Sequence, residues 1–593
     1  MLYWGPIMDK TESMAGEFAQ FVLQMQQRLT GRELAQPLAQ LFARLFADMY
    51  RQMQNAQVCL ELSQWLACHD EGIALSQLKR CLLETAVVGD NHRDDTLFVL
   101  DESHRLYMQR YIFYEKMIAE RLRGLSAVHE ALSPMQQAYL QQIDVSDPNK
   151  ALAICMAMQE ALTVISGGPG TGKTWTVLRI LQGLLIQKRQ LRIALAAPTG
   201  KAAARMMESI RNGIEQVPEQ SIRERIPVQA QTIHRLLNQS HPLPYDVIVV
   251  DEAGMVSLSL MAQLMQAMRP QCRLILLGDK NQLASVEEGA VFAELSERFE
   301  FSVRAVERYE KAGIDRAILM PSQGRRPRVD MTDHTVWLTH SHRYDPNGAI
   351  AQLAESVRLG KAHQGWSILK NDTSGSVSVI ELAEKEPSLK PYLPAIAERF
   401  TAYVQAFNAY RNHPDGQLKP LFDAIKKQVV LCCTNEGAFG IDAINRYVRS
   451  QCFGNEQIAY SEHFEGEVIM VTVNDHELGL ANGDVGIVLA QGSTHAVYFE
   501  SLDENGQLFY RSVPLGRLPE SKRAFAMTVH KSQGSEFTDV LMILPPFSRV
   551  LTRELIYTGL TRAKTSVCVL AQAGTFVEAV NNKTERLSGL LYR

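Results

Sequence analysis

Between Ser166 and Thr176 the chain reads SGGPGTGKTWT, and no other stretch limits its possible folds as strongly. Gly167-x-x-x-x-Gly172-Lys173-Thr174 fits the phosphate-binding P-loop pattern in full. An apolar run at 162–165 reads as a short buried strand before it, and residues 177–185 follow with apolar residues at helical spacing. Strand, glycine loop and helix together make a physical site. Glycines let backbone N–H groups curl around phosphate oxygens, because a Cβ would block the approach. A helix opening at Lys173 adds the positive end of its dipole. The predicted nucleotide contacts are Gly167, Gly168, Pro169, Gly170, Thr171, Gly172, Lys173 and Thr174. Lys173 is expected to reach the β- and γ-phosphates, and the Thr174 hydroxyl to bind Mg²⁺.

At 593 residues the chain is too long for one core, so three or four domains are expected. A net charge of −4 gives no global basic signature, so any nucleic acid has to be held in a local groove. The nine cysteines show no C-x-x-C pair and no disulfide framework, which points to a reducing, cytoplasmic setting. The opening MLYWGPIMDK lacks the pattern of a signal peptide, and Met8 is an alternative start. No apolar run reaches the ~18 residues that span a bilayer, so no membrane association is expected.

Residues 1 to 145 read as helical, with one short strand at 97–100, a long helix at 106–125 and a connection at 134–148. From Lys150 onward apolar strands alternate with helices, the mark of an α/β fold with parallel sheets. Strands at 192–197, 247–250 and 274–277 end in PTGK, Asp251-Glu252 and GDKNQ. Ligands bind at that edge of open α/β sheets. Arg325-Arg326-Pro327-Arg328 forms a basic loop, and a strand at 429–433 opens a second sheet domain. Short strands at 467–473, 486–489, 496–500 and 507–513 suggest a small inserted β-barrel. The α/β pattern then resumes. The expected domains are 1–125, 126–335, 336–463, 464–515 and 516–593, with the second sheet domain split by the insertion.

Asp251 and Glu252 suit a Walker B pair. Asp251 would hold Mg²⁺ through its hydration shell, and Glu252 would orient and deprotonate the attacking water. Gln282 sits where a γ-phosphate sensor is needed. Arg343 in THSHRY and Arg562 in YTGLTRAK are candidates to neutralise transition-state charge. If both reach the nucleotide, ATP sits in a cleft between two domains, whose opening and closing converts chemistry to movement. Pro198, Thr199, His234, Thr528, His530 and Ser532 stand on loops at strand ends and suit hydrogen bonds to the phosphates of a DNA strand. Trp337, Tyr344 and Phe537 fit base stacking or the core.

The order of GGPGTGKT, APTGKAAARM, TIHRLL, DEAGMV, LGDKNQLASVEEG, LTHSHRY, MTVHKSQGSEF and YTGLTRAK resembles superfamily 1 DNA helicases of the 5′→3′ branch, and within them the RecD family of RecBCD-type helicase–nucleases (exodeoxyribonuclease V). The resemblance runs from about residue 160 to 565. It implies two RecA-like motor domains, a helical N-terminal partner-docking domain and an SH3-like inserted barrel. It also implies an ATP- and Mg²⁺-dependent motor on single-stranded DNA with a 5′ end. Such a motor works with RecB-type and RecC-type subunits on duplex ends for recombinational repair, the nuclease centre lying on the RecB-type subunit. Residues 1–125 are then expected to dock on the RecC-type partner and to be dispensable for ATP hydrolysis. Two positions depart from the family. Asn149-Lys150 stands where a Gln reads adenine, with Gln159 and Gln141-Gln142 nearby, and Asn435 stands where an Arg is usual.

Two other readings remain open: a P-loop ATPase subunit that does not translocate, and a helicase acting alone or on RNA. The late arginine-bearing stretches argue against the first. Sequence discriminates poorly between DNA and RNA, because backbone contacts do not read the sugar unless a group meets the 2′-OH.

Overall fold

The computed structural model describes residues 5–69, 72–90, 95–143, 147–297, 301–319, 332–413, 417–453, 463–475, 477–492, 494–502, 507–546, 548 and 550–590. The basic loop 325–328 and the turn at 504–506 lie outside them.

The N-terminal region begins with the helices Gly5–Thr30 and Gln36–Gln54, which pack together through Ala15, Ala19, Val22, Phe42 and Phe46. It is not purely helical. Strands β1 (Cys59–Glu61), β2 (Val88–Gly89), β3 (Phe98–Leu100) and β4 (Arg105–Met108) form a sheet in the order β1-β4-β3-β2. Each is two to four residues long, too short to show a period of two in the sequence. The helix expected from 106 starts instead at Gln109, because 105–108 is drawn into pairing with β1 and β3.

The first large sheet has β5 (Leu162–Gly167), β6 (Ile193–Ala197), β7 (Ala230–Thr232), β8 (Val247–Val250), β9 (Arg273–Gly278) and β10 (Thr335–Leu338), in the order β10-β5-β9-β8-β6-β7, all parallel. Its central strands are buried on both faces, which is why they read as unbroken apolar runs. Leu162, Val164, Ile248 and Leu274 face one core, and Ile165, Val249, Ile275 and Leu277 the other. The helix Gln109–Ser126 closes the first of these cores with Ile112, Ile118, Leu122 and Leu125, packed near Leu264 and Met265. A boundary at 125/126 therefore cuts through a core. The expected connection 134–148 also holds a helix, Pro134–Gln142, started by a Ser133/Gln136 capping box and hydrogen-bonded to the P-loop helix.

The second parallel sheet is split in sequence. Strands β11 (Val377–Glu381) and β12 (Gln428–Cys432) come first. The antiparallel strands β13 (Val468–Val471), β14 (Val485–Gln491), β15 (Thr494–Leu502), β16 (Leu508–Pro514) and β17 (Ser521–Arg523) follow. Then β18 (Ala526–Thr528), β19 (Phe537–Ile543) and β20 (Ala563–Ala571) complete the order β11-β20-β19-β12-β18. The insertion pairs as β16-β15-β14-β13-β17 around Ile469, Val471, Val488, Val497 and Phe499. Two further boundaries move: β10 pairs with β5, so 335–338 belongs to the first sheet and not to the second, and β17 pairs with β13, so the insertion runs to Arg523 and does not end at 515. Among the described residues no helix is long and apolar enough to cross a membrane, and all nine cysteines are free.

Candidate functional site

The P-loop leaves β5 at Gly167 and enters the helix Lys173–Gln187 at Gly172. Gly170 and Gly172 have φ of +76° and +81°, in the left-handed region that side chains disfavour. A Cβ at Gly170 would also collide with Arg343. The Lys173 ammonium lies back over its loop, donating to the carbonyls of Gly167 at 2.7 Å and Gly168 at 3.3 Å. The Thr171 hydroxyl donates to Gly168 at 2.9 Å. Thr174 is half-buried in the first turn of the helix.

Asp251 leaves β8, and its carboxylate accepts from the Glu252 amide at 2.8 Å. Glu252 itself has φ of +52°, an uncommon conformation for a non-glycine residue and one that clusters at functional sites. Burial, then the neighbouring Glu252 charge, raises the Asp251 carboxyl above its ordinary value, against the pull of Lys173. Next to them the buried Asp279 accepts from the Asn281 amide at 3.0 Å and from Gln282 Nε2 at 3.3 Å. Burial raises it too. The Tyr557 hydroxyl, from the helix Arg553–Leu560 beside the second sheet, faces the same corner: a Cβ on Gly168 would lie 3.1 Å from it and 3.9 Å from Asp279 Oδ2.

Both candidate arginines come to this edge. Arg562 is 3% exposed and donates to Thr558 O at 3.1 Å, Ser535 O at 3.3 Å and, across the cleft, Gln282 Oε1 at 2.9 Å. The Leu283 amide donates to Thr558 Oγ1 at 2.9 Å in the same seam. Arg343 donates to Thr561 O at 3.3 Å and pairs with Glu536. Its neighbours hold the P-loop directly: the His342 amide donates to Gly170 O at 2.8 Å and Ser341 Oγ to Pro169 O at 3.0 Å. The stretch 339–344 thus bridges the two sheets. A cavity of about 1320 Å³ runs along this seam, lined by Gly168, Asp279, Gln282, Ser341, Tyr557 and Arg586 among others.

Several residues of the site were missed in the sequence. Glu536, inside the quoted HKSQGSEF, pairs with Arg205 from the helix Gly200–Ile214, with Arg343, and with Lys564 at 3.5 Å. Burial pushes its carboxyl up, but the combined cationic charge outweighs that and holds it below its ordinary value. Lys150 meets His342 at 2.6 Å beside Gly172, while Gln159 is buried against Cys155 and Asn149 turns back to Asp147. The signal for Glu536, Asp279 and Tyr557 was their place within the quoted stretches; no spacing rule singles them out.

The residues expected on DNA divide. Pro198 and Thr199 follow β6, and Thr199 caps the next helix by accepting from the Ala202 amide at 3.2 Å. His234 is exposed at the start of the helix Ile233–Leu237. His530 is half-exposed, and burial lowers its ring below its ordinary value. Thr528 and Ser532 do not face a groove. Ser532 is fully buried and donates to Val529 O at 2.7 Å, and Thr528, 8% exposed, accepts from the Lys531 amide. The tight turn after β18 directs these small hydroxyls inward, so they shape the loop. Phe537 packs in the core of the second sheet, and Tyr344 packs against it while bonding Thr561 and Ala563 carbonyls. Trp337 is half-buried under Lys280 at 4.3 Å. At the far side of this edge, the insertion's loop touches both sheets: Lys201 Nζ donates to Gly483 O at 3.4 Å and Lys531 Nζ to Asn482 Oδ1 at 2.9 Å.

Known proteins match the chain along most of its length. An AAA domain model matches residues 150–288, and a UvrD-like helicase C-terminal domain model matches 523–570. The RecBCD enzyme subunit RecD of Haemophilus influenzae is 32% identical over 518 residues, covering 81% of this chain and 78% of that protein. The subunit of the same name from Mycolicibacterium smegmatis is 33% identical over 509 residues, covering 82% of each. The ATP-dependent RecD2 DNA helicase of Deinococcus radiodurans is 27% identical over 546 residues, covering 87% of this chain and 63% of the helicase.

Proposed function

On the premise that this chain belongs to the RecD family of RecBCD enzyme subunits, we propose that it is the 5′→3′ single-strand motor of such an enzyme and that ATP is hydrolysed in the cleft between its two parallel sheets. It is an ATP-dependent DNA helicase subunit, with the nuclease centre on another chain. One observation carries the mechanism: residues from both sheets, separated by hundreds of positions, close on one P-loop edge, with Arg562 on Gln282.

The residues at this edge suit a nucleotide and a divalent cation. The left-handed glycines keep the cradle free of Cβ atoms, and Lys173 sits on loop carbonyls that phosphate oxygens would displace from it. Thr174 and Asp251 are the groups to hold Mg²⁺, which when bound neutralises phosphate charge. Glu252 serves as the base for the attacking water, and Gln282 reports the γ-phosphate to Arg562. Arg343 and Arg562 supply the positive charge that hydrolysis needs in its transition state. Because those arginines sit on or against the second sheet, ATP binding favours a closed cleft and hydrolysis releases it. Pro198, Thr199, His234 and His530 are assigned to the strand's backbone.

The five-stranded insertion, with its own apolar cluster, supports an SH3-like barrel, and the two parallel sheets support two RecA-like domains. RecB-type and RecC-type subunits are the assigned partners. The N-terminal region is assigned to RecC-type docking, supported by exposed Met14, Phe21 and Leu29 on its first helix. The free cysteines support a reducing, cytoplasmic setting.

Strand displacement on duplexes with 5′ or 3′ single-stranded tails tests this reading. Unwinding is expected from the 5′ tail, on DNA and with ATP. It should vanish in Lys173→Ala along with ATP hydrolysis, because the ammonium acts on phosphate charge from an open site and its loss leaves no core cavity. Wild-type hydrolysis in that variant overturns the assignment.

A further inference from the structure

We propose that Arg586 is a positioning residue for ATP hydrolysis, fixing the loop that presents Gln282 to Arg562. The inference rests on the reading of Gln282 as γ-phosphate sensor. Arg586 comes from the segment after the last helix, Ala573–Asn581, of the second sheet's unit. The chain has crossed to the first unit by this point, and the Arg586 guanidinium clasps the backbone of a turn there. Nη1 donates to Glu287 O at 2.8 Å and Gly289 O at 2.7 Å, and Nη2 donates to Ser285 O. One planar fork thus gathers three carbonyls from a turn of five residues, which a lysine ammonium on a flexible stem is poorly shaped to do.

That turn carries the sensor. Ser285 lies three residues beyond Gln282, a span of at most about 10 Å of extended chain, so holding 285–289 limits where Gln282 can go. The turn is pinned from the other side as well: the Ser285 amide donates to Gly254 O at 3.2 Å and the Leu258 amide to Glu288 O at 3.0 Å. Gly254 follows directly on Asp251-Glu252 and Ala253, so the clasped turn is bonded to the loop of the proposed base.

Arg586 is itself held in place. Gln57 accepts from the Leu587 amide and donates to Glu585 O, both at 2.6 Å. The buried Glu115 accepts from Ser588 Oγ at 2.7 Å and the Gly589 amide at 3.0 Å, and Leu590 enters the core of the first sheet. Residues 585–590 are therefore anchored on the first unit and the helix Gln109–Ser126, with the guanidinium already aimed at the turn. Preorganisation of this kind is what a small displacement of a catalytic group most punishes.

The test is DNA-stimulated ATP hydrolysis by the full chain in four forms: wild type, Gln282→Ala, Arg586→Ala and the double variant, with thermal melts alongside. Arg586→Ala is expected to lower kcat about tenfold or more with KM within about threefold, a loss of the size that misplacing a catalytic group brings. In the Gln282→Ala background the same substitution should change kcat by less than about twofold, because two residues acting through one contact are not additive. An equal fold-loss in both backgrounds, or wild-type kcat in Arg586→Ala while Gln282→Ala is slow, overturns the proposal and leaves the sensor standing. Wild-type kcat in Gln282→Ala overturns the sensor reading and the proposal with it. If Arg586→Ala does not fold, Arg586→Lys, which keeps the charge but loses the fork, is read by the same criteria.

Discussion

Arg562 Nη2 donates to Gln282 Oε1 at 2.9 Å, joining two residues 280 positions apart across the cleft between the parallel sheets. The same Gln282 donates to Asp279, beside the P-loop, so one side chain connects the arginine of the second sheet to the acidic edge of the first. With Gln282 in its proposed role as γ-phosphate sensor, a change at that phosphate has a direct path to the second domain.

Arg562→Lys is the cleanest probe of that link. Alanine would leave a cavity and strip partners from the Thr558 and Ser535 carbonyls, mixing stability with catalysis. Lysine keeps the charge and loses the fork. ATP turnover should fall about 10³-fold while nucleotide affinity changes less than about tenfold, the split expected of the proposed role in the transition state. Single-turnover hydrolysis set beside equilibrium nucleotide binding separates the two. Matching losses in both would make Arg562 a ground-state contact.

Much of this edge was legible because its parts obey local rules. The P-loop needs glycines where φ is positive, Asp251-Glu252 ends an apolar strand, and the sheet strands are unbroken apolar runs. What stayed hidden depends on packing between distant segments. β10 looks like the start of the second domain until its pairing with β5 is seen. Ser532 looks like a surface hydroxyl until the turn folds it inward. Glu536 gives no sign in sequence that Arg205, Arg343 and Lys564 all converge on it.

Glu536→Gln leaves those three cations without their shared carboxylate. With partners that are partly exposed, the loss should be about 1–3 kcal/mol of stability, read from the urea midpoint. The pH dependence has a definite sign. The folded carboxyl lies below its ordinary value, so its contribution is complete above the unfolded value of about 4.3 and is lost as pH falls through the folded one. The acid-side drop in wild-type stability should therefore be shallower in the glutamine variant, and equal slopes would remove Glu536 from the ion network.

The helix Gln109–Ser126 changes what a truncation should do. Its Ile118 and Leu122, 0% and 1% exposed, sit in the same core as Leu162 and Leu274 of the motor sheet. Deleting residues 1–125 should therefore abolish soluble ATPase activity instead of sparing it. A milder test is Leu122→Ala, expected to cost about 2–5 kcal/mol although it lies outside every nucleotide or DNA stretch. Chemical denaturation measures it. A cost below about 1 kcal/mol would mean that the helix lies on the motor without completing its core.

Lys201 gives a prediction on the DNA side. It follows Thr199-Gly200 at the end of β6, against Gly483 of the inserted sheet. Burial pushes its ammonium down to about 8; Asp484 opposes the shift, and Arg205 and Arg562 add to it. If the strand's phosphates pass this loop, their charge raises that value in the complex, so binding takes up a proton above pH 8. Affinity for single-stranded DNA should then be level below pH 8 and fall as pH rises beyond it, by about tenfold per pH unit at most for one group. Lys201→Arg, which keeps its charge throughout, should flatten the fall. Titrating a labelled oligonucleotide from pH 7 to about pH 9.5 at fixed ionic strength, which holds phosphate screening constant, makes the comparison. A wild-type profile as flat as the arginine variant's would place the strand away from Lys201 and leave the contact with the inserted sheet as that residue's only role at this edge.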